Sequence, residues 1–156
     1  MLVADIRFCD KEDVDQVLEV DRVSSPYPWP ENIIIRDLLV GDSIISYVGA
    51  FAPADGNMLL GYAALGEEGG NGLLMNLAVL PQYRRRGIGV QLVVAAAEFA
   101  SDLGFLRLVL RVRLTNYAAL ALYRGLGFRC DMTRDGFYSD GNVAGYMSVK
   151  LPLELR

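Results

Sequence analysis

One stretch constrains this chain more than any other. An apolar run over residues 72–80 is closed by Pro81, and the turn Gln82-Tyr83-Arg84-Arg85-Arg86-Gly87-Ile88-Gly89 follows. That turn leads into the most regular helical pattern in the sequence, residues 87–103, with Val90, Val93, Val94, Ala97 and Ala100 on one side and Gly104 beyond. A buried strand, a basic turn and a helix start are thus joined without a gap. A helix N-terminus exposes unpaired N–H groups and the positive end of a dipole, so the join is suited to a pyrophosphate. Gly87 and Gly89 let a ligand approach the backbone, and Arg84, Arg85 and Arg86 add charge-assisted contacts. No Gly-Lys-Ser/Thr follows, so this is not a mononucleotide P-loop. No third glycine stands three residues after Gly89, so it is not the dinucleotide fingerprint either. The bland alternative is a basic helix start with glycines at a tight turn.

The remaining pattern predicts a mixed α/β domain spanning residues 1–156. Residues 2–8 read as a strand. Residues 11–21 read as a helix, with Val14, Val17, Leu18 and Asp21 at helical spacing. Pro26, Pro28 and Pro30 make residues 24–30 a loop. Pro30 then opens a helix over 31–40, ended by Gly41. Residues 43–52 and 57–66 pair as strands. In residues 106–113, Leu106, Leu108, Leu110 and Val112 alternate with Arg107, Val109, Arg111 and Arg113, which is a half-buried strand. A short helix over 116–124 precedes a hairpin of 128–133 and 143–151. The sheet is expected to be mostly antiparallel, with helices inserted into the meander.

Composition narrows the partners. Hydrophobic residues make up 53 % and charged residues 22 %, which is globular. Fifteen basic and nineteen acidic side chains give a net charge of -4, which argues against nucleic acid as a partner. The clustered arginines fit a small polyanion better. No apolar run reaches the ~18 residues of a membrane helix, and the N-terminus lacks a signal-peptide pattern, so a cytoplasmic location and no membrane partner are expected. The absence of histidine removes Ser-His-Asp and Cys-His catalysis and His-based zinc sites, so no metal is implied. Cys9 and Cys130 stand far apart without motif spacing and are expected to be two buried free thiols.

Arg84-x-x-Gly87-x-Gly89 resembles the Arg/Gln-x-x-Gly-x-Gly/Ala motif of the GNAT superfamily of N-acetyltransferases. The resemblance runs over nearly the whole chain. It includes Pro28-Trp29, Asn76-Leu77-Ala78-Val79-x-Pro81-x-Tyr83, and Leu110-x-Val112-Arg113-x-x-Asn116-x-x-Ala119-x-x-Leu122-Tyr123-x-x-Leu126-Gly127-Phe128. In these versions it is similar to the ribosomal-protein-alanine and archaeal N-terminal acetyltransferases. The resemblance implies the GNAT fold and acetyl-CoA as co-substrate. It implies that the amides of Arg84, Arg85, Arg86, Gly87, Ile88 and Gly89 hold its pyrophosphate, and that Leu77, Ala78 and Val79 contact its pantetheine arm. Asn116 matches an asparagine on that arm, although Asn is also a preferred helix N-cap. Tyr123 matches the tyrosine that serves the departing thiolate. Tyr27, Trp29 and Tyr138 match the acceptor side.

Two departures bear on the acceptor. Phe137 replaces the first of an aromatic pair that is usually tyrosine. Arg111 occupies a strand position where the alanine-acetylating group usually carries a glutamate proposed as base. Arginine cannot take a proton. A fixed cation there would favour neutral or acidic acceptors, unless Arg111 is simply a solvated strand-face cation. Glu67 and Glu68 are candidate bases acting through water, or solvated loop acids. The expected function is direct acetyl transfer to a protein N-terminal α-amine. Acetylation of a small amine, or an acyl-CoA-binding sensor without turnover, are the alternatives. A homodimer is compatible with the chain.

Overall fold

The computed structural model describes residues 1–40 and 43–155. Gly41, the expected end of the second helix, lies outside the described residues. Seven strands form a mostly antiparallel sheet flanked by helices. They are β1 (Asp5–Phe8), β2 (Ser46–Ala52), β3 (Asp55–Glu68), β4 (Asn71–Val79), β5 (Arg107–Arg113), β6 (Arg129–Arg134) and β7 (Ala144–Lys150). The strand order is β1-β2-β3-β4-β5-β7-β6, and β4 and β5 run parallel. The helices are α1 (Val14–Ser24), α2 (Glu31–Ile35), α3 (Ile88–Asp102) and α4 (Tyr117–Gly125). Two compact units divide the chain: Met1–Gly66 with Asn76–Ala96, and Glu67–Met75 with Ala97–Arg156.

In the first unit, β1, β2 and β3 are joined antiparallel, with Ile6 opposite Ala50 and Val48 opposite Ala63. Val17, Val20, Ile34, Phe51, Leu60, Leu92 and Val93 are almost fully buried. Burying each such side chain is worth about 1.5–3 kcal/mol, so this cluster is the main source of the unit's stability. The strand expected over 2–8 starts at Asp5. Before it, the Ala4 N–H and the Leu2 carbonyl are both taken by the side-chain amide of Gln91, not by a neighbouring strand. The first helix is also shifted. Asp10 caps a 3-10 turn at Lys11–Asp13 through a reciprocal capping box, and α1 follows. Beyond α2, residues Arg36–Val40 continue as one π-helical turn.

In the second unit, β5 alternates as predicted from Arg107 onward, but Leu106, expected on its buried side, lies before the strand and is exposed. Leu108, Leu110 and Val112 are buried, while Arg107, Val109, Arg111 and Arg113 are half-exposed. β7 pairs with both β5 and β6. The core includes Leu74, Ala97, Ala100, Leu120, Tyr123, Phe128 and Met147. Two expectations need correction. Val90 of α3 points outward and Leu92 takes its place in the core, because a helix this apolar has no single legible face. Cys130 is exposed, since edge strand β6 has no buried residue, whereas Cys9 is buried as expected.

Candidate active site

The first unit contains the turn that opens α3. After β4, the Leu80 N–H donates to the Leu60 carbonyl, and Tyr83 and Arg84 close a 3-10 turn on Leu80 and Pro81. Arg85 then adopts φ 62° and Gly87 φ 82°. Positive φ at both positions turns the backbone inside out, and at Gly87 any side chain would be strained. No described residue accepts a hydrogen bond from the N–H of Gly87, Ile88 or Gly89. These donors stand at the positive end of a 15-residue helix, an arrangement that can hold an anion. The arginine side chains are not all turned to such an anion. Arg84 donates to the Ser24 carbonyl at the end of α1, and the Arg86 guanidinium lies 5.5 Å from the Tyr83 ring centre.

Next to this turn, β4 carries Leu77, Ala78 and Val79. Gly61 lets the backbones approach: a Cβ there would stand 2.7 Å from the Ala78 carbonyl oxygen. The Leu77 N–H donates to the Asn76 Oδ1 at 3.0 Å. Asn76 Nδ2 in turn donates to Asp21 at 2.9 Å. Asp21 also accepts from the Tyr62 hydroxyl and from the Trp29 backbone N–H, each at 2.7 Å. Trp29 is half-buried and Tyr27 is exposed.

The second unit contains Tyr123, Asn116, Arg111 and Tyr138. The Tyr123 ring is 7 % exposed and packs against Phe128, with ring centres 5.5 Å apart. Its hydroxyl has no hydrogen-bond partner among the described residues, yet its oxygen is not sealed off from solvent. Burial, and secondarily the nearby Tyr138 phenol, push the Tyr123 hydroxyl above its ordinary pKa. It therefore stays protonated at neutral pH and can act as a donor. Asn116 caps α4 by accepting from the Ala119 N–H at 3.2 Å.

Arg111 is not a solvated cation. It forms an ion pair with Glu68, and its guanidinium carbon lies 5.4 Å and 5.2 Å from the Phe137 and Tyr146 ring centres. The hydrogen bond to Glu68 is the main reason its pKa is raised further. Its Nε is buried without a partner. The expectation of a fixed cation favouring acidic acceptors is therefore corrected: Glu68 neutralises it. Glu67 and Glu68 are not loop acids either, because β3 extends through both. A cleft of about 320 Å³ is lined by Glu68, Leu73, Arg111, Asp131, Met132 and Tyr146. Tyr138 packs edge-on against Phe137 at 4.9 Å, and Arg113 lies 3.9 Å over its ring while pairing with Asp140 at 2.9 Å.

Sequence reasoning missed Asp21 and Tyr146 as site residues, and it named Glu68 as a candidate base but not as the partner of Arg111. The only signal for Asp21 was an acid at an apolar helical position. Tyr146 had no signal, and neither did the pairing of Glu68 with Arg111, since both contacts depend on strand register.

Residues 11–128 match the Acetyltransferase (GNAT) family. The chain is 27 % identical over 157 residues to an N-alpha-acetyltransferase of Saccharolobus solfataricus, covering 94 % of this chain and 92 % of the relative. It is 30 % identical over 161 residues to an N-alpha-acetyltransferase of Sulfurisphaera tokodaii, with the same coverage of each. Among solved structures, the ribosomal-protein-S18-alanine N-acetyltransferase of Escherichia coli shares the fold. Its TM-score is 0.82 at 23 % identity, over 97 % of this chain and 96 % of that one.

Proposed function

We propose, from the premise that this chain belongs to the GNAT acetyltransferase family and is an acetyl-CoA-dependent N-acetyltransferase, that its acceptor is the α-amine of a protein N-terminus. The observation that carries the chemistry is the free hydroxyl on the buried Tyr123 ring.

Each residue has a distinct task in this reading. The amides of Gly87, Ile88 and Gly89, with the backbone of Arg84, Arg85 and Arg86, hold the pyrophosphate of acetyl-CoA. Leu77, Ala78 and Val79 run along its pantetheine arm, and Asn116 contributes from the start of α4. The neutral amine attacks the thioester carbonyl carbon. The carbon–sulfur bond breaks and its electron pair leaves on sulfur. Tyr123 donates its hydroxyl proton towards that sulfur, and the surplus proton of the amine passes to water, from which the Tyr123 phenolate regains a proton. Tyr27, Trp29 and Tyr138 flank the acceptor, and the Arg111–Glu68 pair lines the cleft without imposing a net charge.

The lack of an evident strong base supports an α-amine. At pH 7 roughly a tenth of an α-amine is already neutral, against about one in 2,500 for a lysine, a difference of about 3.4 kcal/mol. The names of the two archaeal relatives support the same acceptor.

The test is release of free thiol from acetyl-CoA with a panel of N-terminal peptides, internal-lysine peptides and small amines. N-terminal peptides are expected to react fastest, and faster lysine or small-amine turnover would remove the proposed acceptor. Tyr123→Phe is expected to lower kcat by about 10²–10⁴-fold while acetyl-CoA affinity changes little. Wild-type kcat in that variant would leave Tyr123 as a core residue.

A further inference from the structure

Asp21 stands where three separate parts of the first unit meet. It is 2 % exposed at the C-terminal half of α1. Its Oδ2 accepts from the Trp29 N–H in the loop before α2, and its Oδ1 accepts from the Tyr62 hydroxyl of β3 and from Asn76 Nδ2 of β4. Asn76 Nδ2 also lies 2.7 Å from the Tyr62 oxygen, which closes the cluster. Among the described residues no cation pairs with Asp21. A carboxylate offers about four acceptor positions and no donor, and all three neighbours donate, so the match of chemistry is complete. Asn76 then carries the link one step further, because its Oδ1 receives the N–H of Leu77.

We propose that Asp21 is a positioning residue that couples the acetyl-CoA strand to the acceptor loop: it ties the Trp29 backbone to Asn76, so that filling the Leu77–Val79 edge with the cofactor arm sets the loop in place for the amine. This rests on the roles proposed above for β4 and Trp29. The coupling runs through three part-buried hydrogen bonds of ordinary length that meet at a buried carboxylate, where polar contacts are held more firmly than in water. Tyr62 is itself braced: its ring stacks on Tyr47 at 5.6 Å, and the Tyr47 hydroxyl donates to another buried acid, Asp37, at 2.8 Å. β3 is thus a fixed support, and the Trp29 loop is the element left to respond.

Trp29 is the single tryptophan of the chain, so its fluorescence reports this loop directly. The full chain is titrated with CoA while Trp29 emission and acrylamide quenching are followed, and CoA affinity is measured by calorimetry. In the wild type, CoA is expected to shift the emission and reduce quenching at least twofold. Asp21→Asn places an amide donor among three donors. It is expected to bind CoA within about threefold of wild type, to lose the Trp29 response, and to raise the acceptor KM about tenfold with little change in the acetyl-CoA KM. Asn76→Ala cuts the same link at a half-buried side chain and is expected to do likewise, which keeps the test alive if Asp21→Asn fails to fold. Tyr62→Phe removes the brace but leaves the Trp29–Asp21–Asn76 path, and is expected to retain the response. CoA binding that leaves wild-type Trp29 unchanged, or a normal response and acceptor KM in a folded Asp21→Asn or Asn76→Ala variant, would overturn the coupling. Failure of CoA to bind the wild type would instead remove the β4 reading on which it rests.

Discussion

The two units differ in how they satisfy most of their polar side chains, although Asp13 of the first is a buried acid paired with the exposed Arg7. In the first, Asp21 and Asp37 are buried and accept tyrosine hydroxyls, with Arg36 reaching Asp37 only at 3.7 Å from a largely exposed position. In the second, the arginines of β5 lie half-exposed on one strand face, two matched by half-exposed or exposed acids and one by the buried Ser148 hydroxyl. Arg111 pairs with Glu68, Arg113 with Asp140, and Arg107 with the Ser148 hydroxyl that bonds Asp131. A buried acceptor that loses its partners carries the full desolvation cost, whereas a pair in contact with water exchanges one set of hydrogen bonds for another. The first arrangement therefore sets shape, and the second sets the charge and contour of a surface that can be altered without unfolding.

The units also carry one cysteine each, and this gives the sharpest test of the contrast. Burial pushes the Cys9 thiol up to about 12, while Cys130 lies exposed on edge strand β6. At pH 8 only about one Cys9 in 10⁴ is thiolate, so alkylation of the native protein is expected to consume one thiol per chain and of the denatured protein two. A second rapid native thiol would show that the first unit is open near β1. Raising the pH towards 12 is expected to bring Cys9 into reaction.

Asp21→Ala comes next in size. It leaves the buried Tyr62 hydroxyl and the part-buried Trp29 N–H without their acceptor, while Asn76 keeps the Tyr62 oxygen, and it is expected to cost about 2–4 kcal/mol, read as a lower urea midpoint. A loss below about 1 kcal/mol would mean that water enters the site and that the burial contrast is weaker than drawn. Tyr62→Phe removes one donor and keeps the stacked ring, for an expected loss of about 1 kcal/mol in the same measurement. Arg113→Ala should have the smallest effect on stability, and what remains should fade with added salt. Its visible consequence should lie in function: Tyr138 loses the cation over its ring, so the acceptor KM is expected to rise while the acetyl-CoA KM holds. An unfolding midpoint shifted as far as in Asp21→Ala would erase the distinction between the units.

Much of this was legible because periodicity and turn chemistry are local. The alternation of β5, the cap at Asn116 and the strand, turn and helix around Arg84–Gly89 all follow from neighbouring residues. The motif around Tyr123 could be recognised, but not that its hydroxyl has no hydrogen-bond partner among the described residues. Asp21 illustrates the limit. Its place among Val14, Val17 and Leu18 marked a buried acid, but its donors lie 8, 41 and 55 residues away.

The sequence by itself determined the succession of strand, basic turn and helix around Arg84–Gly89 and the exclusion of histidine chemistry. Each of these depends on residue types close together in the chain. The tertiary structure alone decided which charges are free. Arg111 read as a cation and is a neutralised pair, because the end of β3 brings Glu68 to it. The Arg84 side chain holds the Ser24 carbonyl, a contact that the basic turn in the sequence did not reveal. A charge is cancelled by whatever lies within a few ångströms, and that neighbour is chosen by strand register and helix placement, which no local pattern specifies.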